Sequence, residues 1–224
     1  MTIRGVFITG TDTNVGKTVL SAAVFHRYRS LAALRYWKPI QTGADADSDT
    51  AEARRLGALS GDQVFDEGAR FPDPVSPHLA AERAGDTISL HGLRILLPPD
   101  GATRWIVEGA GGVLVPLNGA NLTADFIGLL GLPALIAARS GLGTINHTLL
   151  TLEALRSREL PVAGVVMIGE PDDDNRRAIE KYGGVPVLGQ MPRFDPLTPE
   201  ALAAWTREHF DPAGCLMRCF EGRT

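Results

Sequence analysis

Cysteine is scarce in this sequence. Two cysteines, Cys215 and Cys219, occur among the 224 residues, and no histidine stands beside them. The pair has two interpretations, a small metal site or two reduced thiols without a partner. We favour the second interpretation, because two sulfur ligands without a histidine do not complete a metal site.

Long apolar segments are also missing. The longest apolar run covers roughly residues 129–138, is interrupted by Gly131 and Pro133, and is too short to cross a bilayer. The N-terminus shows no charged region followed by a long apolar stretch, so we expect no export signal. These absences predict a cytoplasmic protein without a membrane partner.

An excess of positive charge is absent as well. Lys and Arg total 22 and Asp and Glu total 26, which gives a formal net charge of -4. A nucleic-acid partner requires a basic face on the protein. The charge balance therefore disfavours nucleic acid as a partner.

Apolar residues, by contrast, are plentiful. Hydrophobic residues make up 44% of the 224-residue chain, which is enough for one sizeable core. We therefore expect a single domain over residues 1–224. The order of its C-terminal tail, residues 211–224, is left open by the sequence.

Short apolar runs alternate with segments of helical periodicity along the chain. The expected strands are 5–9, 35–40, 104–110, 132–138, 162–168 and 186–192. The expected helices are 16–34, 144–160 and 198–210, and the expected loops are 61–77 and 98–103. Continuous apolar strands separated by helices predict a parallel sheet covered on both faces, with ligands at the carboxyl ends of its strands.

The segment FITGTDTNVGKT, residues 7–18, ends like a phosphate-binding loop that follows an apolar strand. The usual glycine position is occupied by Thr11, and Gly10 stands one place earlier, so the loop is longer by one residue. We expect its backbone N–H groups to wrap a phosphate chain, with Lys17 on the β and γ phosphates and Thr18 on Mg²⁺. The fold expected is α/β, a three-layer P-loop NTPase-like fold with a mostly parallel central sheet flanked by helices.

Acidic residues elsewhere offer oxygen ligands for Mg²⁺. Glu108 ends an apolar strand, where a carboxylate is costly without a cation. Asp49 lies in the acidic run 44–52, which reads either as a solvated loop or as a ligand source, with Asp45 and Asp47 as competitors. Lys38 follows a strand and precedes a proline, so it is either a solvated charge or a cation of the site.

Two further segments suit close contact with a ligand. The glycines of GAGG, residues 109–112, either let backbone approach a ligand or form a plain tight turn. The helix that begins within 141–146 has free N–H groups for a carboxylate. We interpret His147 as a helix residue in packing or at an interface, and His78 as a structural residue, rather than as catalytic bases.

Five motifs occur in one order along the chain: GTDTNVGKT (10–18), YWKPIQTG (36–43), SPH (76–78), VEGAGG (107–112) and GLGTINHTLLT (141–151). Together they resemble the dethiobiotin synthetases over roughly residues 3–195. The resemblance implies that CO2 adds to an amine of 7,8-diaminopelargonic acid, that ATP phosphorylates the carbamate, and that the second amine closes the ring. It also implies Mg²⁺ as cofactor, ATP as co-substrate, and a homodimer in which 141–146 serves the other subunit's site.

The resemblance also assigns roles to individual residues. The catalytic residues would be Lys38, Lys17 and Thr13. The nucleotide-binding residues would be Asp12, Thr13, Asn14, Val15, Gly16, Lys17, Thr18, Glu108 and Gly169. The substrate-binding residues would be Thr42, Gly111, Gly112, Gly141, Leu142 and Asn146, and the metal ligands would be Thr18, Asp49 and Glu108.

The sequence departs from this family at two positions. Ile168 stands where members often carry an Asn that reads adenine, and Asn14 replaces a frequent Glu in the loop. An isoleucine side chain offers apolar contact only. We therefore expect a looser choice of nucleotide than strict ATP.

Two rival classes share the phosphate-loop motif. Cobyrinate-type amide ligases usually carry a glutaminase domain with a catalytic cysteine, for which this chain is too short. ParA/MinD-like switches have a lysine five residues before the loop lysine, where this chain has Asp12. A requirement for both the diamine and bicarbonate in phosphate release separates the ligase from the switch.

Overall fold

The computed structural model of the protein describes residues 3–31, 33–44, 48–98 and 101–221. The strands are β1 (Arg4–Gly10), β2 (Leu34–Trp37), β3 (Ile40–Thr42), β4 (Val64–Phe65), β5 (Ala69–Phe71), β6 (Arg104–Gly112), β7 (Ala134–Arg139), β8 (Val162–Ile168) and β9 (Val187–Met191). The helices are α1 (Lys17–Tyr28), α2 (Asp49–Gly57), α3 (Pro77–Arg83), α4 (Leu90–Leu96), α5 (Thr123–Leu130), α6 (Thr144–Arg156), α7 (Asp173–Gly183), α8 (Pro199–His209) and α9 (Met217–Glu221).

Within these ranges the main sheet has seven strands in the order β4-β2-β6-β1-β7-β8-β9, and neighbouring strands pair in parallel. Successive residues of β1 point to opposite faces, so Phe7 joins one apolar cluster while Val6 and Ile8 join the other. Helices cover both clusters, which confirms the expected three-layer α/β fold. Within the described ranges, no helix is long and apolar enough to span a membrane.

Two of the expected segments are wrong. Residues 35–40 do not form one strand, because β2 ends at Trp37 and β3 begins at Ile40 in a separate parallel pair with β5. The interruption falls at Lys38 and Pro39, and a proline has no N–H to donate to a ladder. The expected loop 61–77 contains a short 3₁₀ turn and the strands β4 and β5.

Other bounds shift by a few residues. Helix α1 ends at Tyr28 rather than at residue 34, because Leu34 is needed to pair with Arg104 in the sheet. The bounds of β8 agree with the expected strand 162–168. In the expected loop 98–103, residues 99 and 100 lie outside the described residues.

The C-terminal segment, whose order the sequence left open, packs against α1. Asp211 is 1% exposed, and its carboxylate accepts hydrogen bonds from the Tyr28 hydroxyl and from the N–H groups of Cys215 and Leu216. The ring of Phe220 is buried 5.1 Å from that of Tyr28. The segment 211–221 is thus held by buried contacts, and residues 222–224 lie outside the described ones. Both cysteines in it are free and partly buried.

Asp211→Ala is expected to lower the free energy of unfolding by about 3 kcal/mol, because three donors, two of them fully buried, would lose a charged acceptor. Urea denaturation monitored by circular dichroism measures this change. Asp174→Ala is the matched control, since the Asp174 side chain is 92% exposed and its loss should change stability by about 0.5 kcal/mol or less. Equal effects of the two substitutions would contradict the buried anchor.

Candidate active site

The segment between β1 and α1 is a wrapped loop at the carboxyl edge of the sheet. A Cβ atom on Gly10 would lie 2.6 Å from Cγ2 of Val15, so only glycine fits there. Gly16 has a φ of 92° and Asn14 a φ of 53°, which turn the chain into the helix. The Thr11 N–H donates to the carbonyl of Ala137 over 3.0 Å and ties the loop to β7. Gly10 therefore allows the tight approach, although it stands one place early.

Lys17 begins α1 and folds back into the loop. Its Nζ donates to the carbonyl oxygen of Asp12 over 3.0 Å, and the residue is 8% exposed. Burial lowers the pKa of Lys17 and the charge of Lys38 lowers it further, while Glu108 and Asp49 oppose both effects. An anion that enters the loop would meet an ammonium group already in place.

A second cation, Lys38, is held by two carboxylates. Its Nζ lies 2.7 Å from Oδ2 of Asp49, 3.0 Å from Oε1 of Glu108 and 3.1 Å from the carbonyl of Gly109. The Thr18 hydroxyl donates towards the same two carboxylates, at 2.9 Å to Glu108 and 3.2 Å to Asp49. The fold thus brings together Thr18, Lys38, Asp49 and Glu108. Asp45 and Asp47, the competitors for the metal, lie outside the described residues.

The charges of this cluster stabilise one another. Lys38 is 2% exposed, and burial alone would lower its pKa, but Glu108 and Asp49 outweigh burial and raise it. Burial would raise the pKa of Asp49, yet the nearby Lys38 holds it below the ordinary value. The sequence contains three lysines, and two of them lie in this site. The site therefore keeps two fixed cations beside two carboxylates.

Sequence reasoning missed two hydroxyl groups of the site. Oε2 of Glu108 accepts a hydrogen bond from Tyr36 over 3.0 Å and another from Ser21 over 2.9 Å. Burial and the charge of Glu108 raise the pKa of Tyr36 well above its ordinary value. Their spacing in the sequence could have indicated both residues. Ser21 lies one helical turn after Lys17 and so shares its face of the helix, and Tyr36 lies two residues before Lys38, on the same side of an extended chain.

The loop also contains an ion pair that the sequence did not predict. Arg139, at the end of β7, pairs with the carboxylate of Asp12. The Thr13 N–H donates to the same carboxylate over 2.7 Å. This hydrogen bond, together with the charge of Arg139, lowers the pKa of Asp12. Arg139 thus neutralises an acidic group in a loop suited to phosphate.

A cavity of about 390 Å³ opens beside the loop. Its walls are loop residues 10–13, residues 112–115, and His147, Leu150 and Thr151 of α6. A larger cavity of about 470 Å³ lies at the edge strand β9, away from the lysines. Two of its polar groups, Gln190 and Asp173, bond to each other over 2.9 Å. The smaller cavity adjoins the loop and is therefore the candidate site.

The remaining predicted substrate residues lie on separate elements. Thr42 ends β3, outside the main sheet, and Gly111 and Gly112 end β6. Gly111 has a φ of 68° and turns the chain towards the cavity wall at Val115. Gly141, Leu142 and Asn146 are exposed around the start of α6.

The end of β8 presents an apolar side chain beside the loop. A Cβ on Gly16 would lie 2.9 Å from Cδ1 of Ile168, so Ile168 covers the start of α1. Gly169 has a φ of 136° and its N–H donates to the carbonyl of Met191 over 2.9 Å. The amide of Asn175 is engaged with the carbonyl of Ser140 over 2.9 Å.

The predicted ligands fit a Mg²⁺ ion. Thr18, Asp49 and Glu108 present hard oxygen atoms within hydrogen-bonding distance of one another. A metal-binding group of three or more His, Cys, Asp or Glu residues does not occur in the described part of the chain, and the set proposed here has only two carboxylates. Two carboxylates and a hydroxyl suit an ion that takes its other ligands from phosphate and water.

A parallel sheet with a phosphate loop between β1 and α1 defines the P-loop NTPase class of nucleotide-binding protein. The family model described as "AAA domain" matches residues 4–201. A ParA family ATPase from Chlorobium tepidum TLS has a TM-score of 0.55 over 91% of this chain and 98% of its own. At 11% identity, this likeness shows the fold alone.

Sequence relatives narrow the class. The ATP-dependent dethiobiotin synthetase BioD of Agrobacterium fabrum is 46% identical over 96% of this chain and 98% of that protein. That of Paramagnetospirillum magneticum is 45% identical over 90% of this chain and 94% of that protein. The biotin biosynthesis bifunctional protein BioCD of Bordetella avium is 46% identical, and the match spans 43% of its length. The chain belongs to the ATP-dependent dethiobiotin synthetase family.

Proposed function

We propose that this protein closes the cyclic urea of dethiobiotin from 7,8-diaminopelargonic acid and CO2 at the expense of ATP. The observation that carries the proposal is the meeting of two buried lysines, Lys17 and Lys38, beside a phosphate loop and a cavity. Cations in fixed positions suit a reaction in which both partners are anions. The substrates are small molecules, and the expectation of a single domain over 1–224 stays a prediction.

The chemistry has three steps. CO2 forms a C–N bond with one amine, which loses a proton and becomes a carbamate. A carbamate oxygen then takes the terminal phosphoryl group of ATP, which leaves a mixed anhydride and ADP. The second amine attacks the carbonyl carbon and forms the second C–N bond, the C–O bond to phosphate breaks, and the amine nitrogen loses a proton as the ring closes.

The residues of the cluster divide the work by position. Lys17 would hold the phosphates, and Lys38 would hold the carbamate and then the anhydride, with Thr13 at the rim of the loop. Thr18, Asp49 and Glu108 would hold Mg²⁺, which neutralises charge on the β and γ phosphate oxygens when it is bound. Charge neutralisation of this kind supplies most of the catalysis in phosphoryl transfer.

The cavity beside the loop suits the apolar chain of the diamine. We propose that the carboxylate of the diamine reaches the start of α6 in a second copy of the protein, so that a homodimer completes the site. Leu114, Leu142 and Leu150 are exposed near the cavity and the start of α6, as expected for a surface that another subunit covers.

An assay of phosphate release tests the function. The full mixture contains the diamine, bicarbonate, Mg²⁺ and ATP, and dethiobiotin is identified by mass spectrometry. We expect release only when the diamine and bicarbonate are both present. A switch ATPase would release phosphate without either, and that result would overturn the proposal.

The nucleotide base is expected to matter little. With ATP, CTP, GTP and UTP, kcat/KM should agree within about tenfold, because the apolar Ile168 does not discriminate among hydrogen-bonding patterns. Ile168→Asn should raise the preference for ATP, since the side-chain amide of the introduced asparagine can pair with adenine. An ATP preference above about a hundredfold in the unaltered protein would contradict this prediction.

A further inference from the structure

The two oxygen atoms of the Glu108 carboxylate face different partners. Oε1 lies 2.9 Å from the Thr18 hydroxyl and 3.0 Å from Nζ of Lys38, on the side where the nucleotide and metal would bind. Oε2 is held from behind by the hydroxyls of Tyr36 and Ser21, at 3.0 and 2.9 Å. Glu108 is 1% exposed, so these contacts are shielded from water.

The two hydroxyls that hold Oε2 are not equivalent. The Ser21 hydroxyl has a second acceptor, the carbonyl of Lys17, at the same distance of 2.9 Å. A hydroxyl has one proton to donate, so Ser21 divides it between two acceptors. The hydroxyl of Tyr36, on β2, donates its proton to Oε2 of Glu108. Tyr36 is therefore the steadier of the two donors.

We propose that Tyr36 is a positioning residue, whose hydroxyl occupies Oε2 so that Glu108 presents Oε1 alone to Mg²⁺ and Lys38. The inference rests on the proposed function, because it assigns a role around the proposed metal site. Mg²⁺ demands near-octahedral geometry, and a carboxylate free to rotate or to chelate through both oxygens departs from it. Hydrogen bonds behind a metal ligand fix its orientation in this way.

The chain contains a matched control for this hydroxyl. Tyr28 is also buried, and its hydroxyl also donates to a buried carboxylate, that of Asp211. It lies at the far end of α1 from Lys17, about 16 Å away along the helix axis. Tyr28→Phe and Tyr36→Phe therefore delete the same kind of hydrogen bond, one remote from the site and one within it.

The test is the affinity for ADP with and without Mg²⁺, measured by calorimetry on the full chain. The readout is the dissociation constant without Mg²⁺ divided by the dissociation constant with Mg²⁺. This ratio reports how much the metal strengthens ADP binding. Tyr36→Phe is expected to lower this ratio by about tenfold. Tyr28→Phe should keep the ratio of the unaltered protein, even though its melting temperature falls.

Three results would overturn the inference: an unchanged ratio in Tyr36→Phe, an equal fall in both tyrosine variants, or no effect of Mg²⁺ on the unaltered protein. If Tyr36→Phe does not fold, Ser21→Ala takes its place, with a smaller fall expected and an unchanged ratio counting against the inference. The measurement uses neither diamine nor bicarbonate. A lack of dethiobiotin synthesis would therefore refute the proposed function and leave this result standing.

Discussion

Lys38→Ala is expected to lower kcat by more than about a hundredfold. The substitution removes the cation that would face the carbamate and the anhydride, and one such group is worth on the order of 3 kcal/mol in the transition state. The effect is large because Lys38 is 2% exposed, and water cannot replace the lost charge easily. Initial rates of dethiobiotin formation at saturating substrates measure it.

A loss of folding must be separated from a loss of chemistry in Lys38→Ala. The substitution leaves Glu108 and Asp49 without their shared cation, and an unpaired buried charge destabilises a protein. Melting temperature and ADP binding are therefore measured on the same sample. Lys181→Ala is the control, since it removes the third lysine of the chain, on α7. Near-normal turnover of a folded Lys38→Ala protein would refute the role of Lys38.

Lys17→Ala is expected to lower kcat by a similar factor, and also to weaken ADP binding. The ammonium of Lys17 lies within the loop, where the β and γ phosphates would bind. Its loss removes on the order of 3 kcal/mol of stabilisation from the charge that develops in the transition state. AMP lacks these phosphates. The affinity of Lys17→Ala for AMP should therefore be close to that of the unaltered protein.

Comparison of ADP with AMP makes the Lys17 prediction specific. Calorimetric titration of both nucleotides into the same variant measures the two affinities. A general distortion of the loop would weaken both nucleotides equally, which would contradict a direct contact between Lys17 and the outer phosphates. Lys17→Arg keeps the charge and is expected to recover part of the ADP affinity.

The sequence predicted the phosphate loop well because loop formation depends on neighbouring residues. Glycines at positions 10 and 16, the lysine at 17 and the flanking apolar strand all lie within one short segment. The structure adds the reason for the early glycine, since a Cβ on Gly10 would collide with Val15. The C-terminal anchor was not predictable in this way, because Asp211 meets Tyr28 from a distant part of the chain.

The cluster around Lys38 shows the limit of local patterns. Lys38, Asp49 and Glu108 were each selected, but Lys38 and Asp49 also had a plain interpretation as solvated charges. Their assembly depends on β2 lying beside β6 and α1 lying over both, which no single segment specifies. Tyr36 and Ser21 were missed because their importance comes only from Oε2 of Glu108.

The amino-acid sequence alone determined the α/β class, the loop between β1 and α1 and the family to which the motifs belong, because these follow from short-range periodicity and ordered motifs. The tertiary structure decided which oxygen of Glu108 faces Thr18 and Lys38, how Lys38 is neutralised and how residues 211–221 are held. These features depend on atoms that are far apart in the chain and are brought within about 3 Å by the sheet order, where hydrogen bonds form.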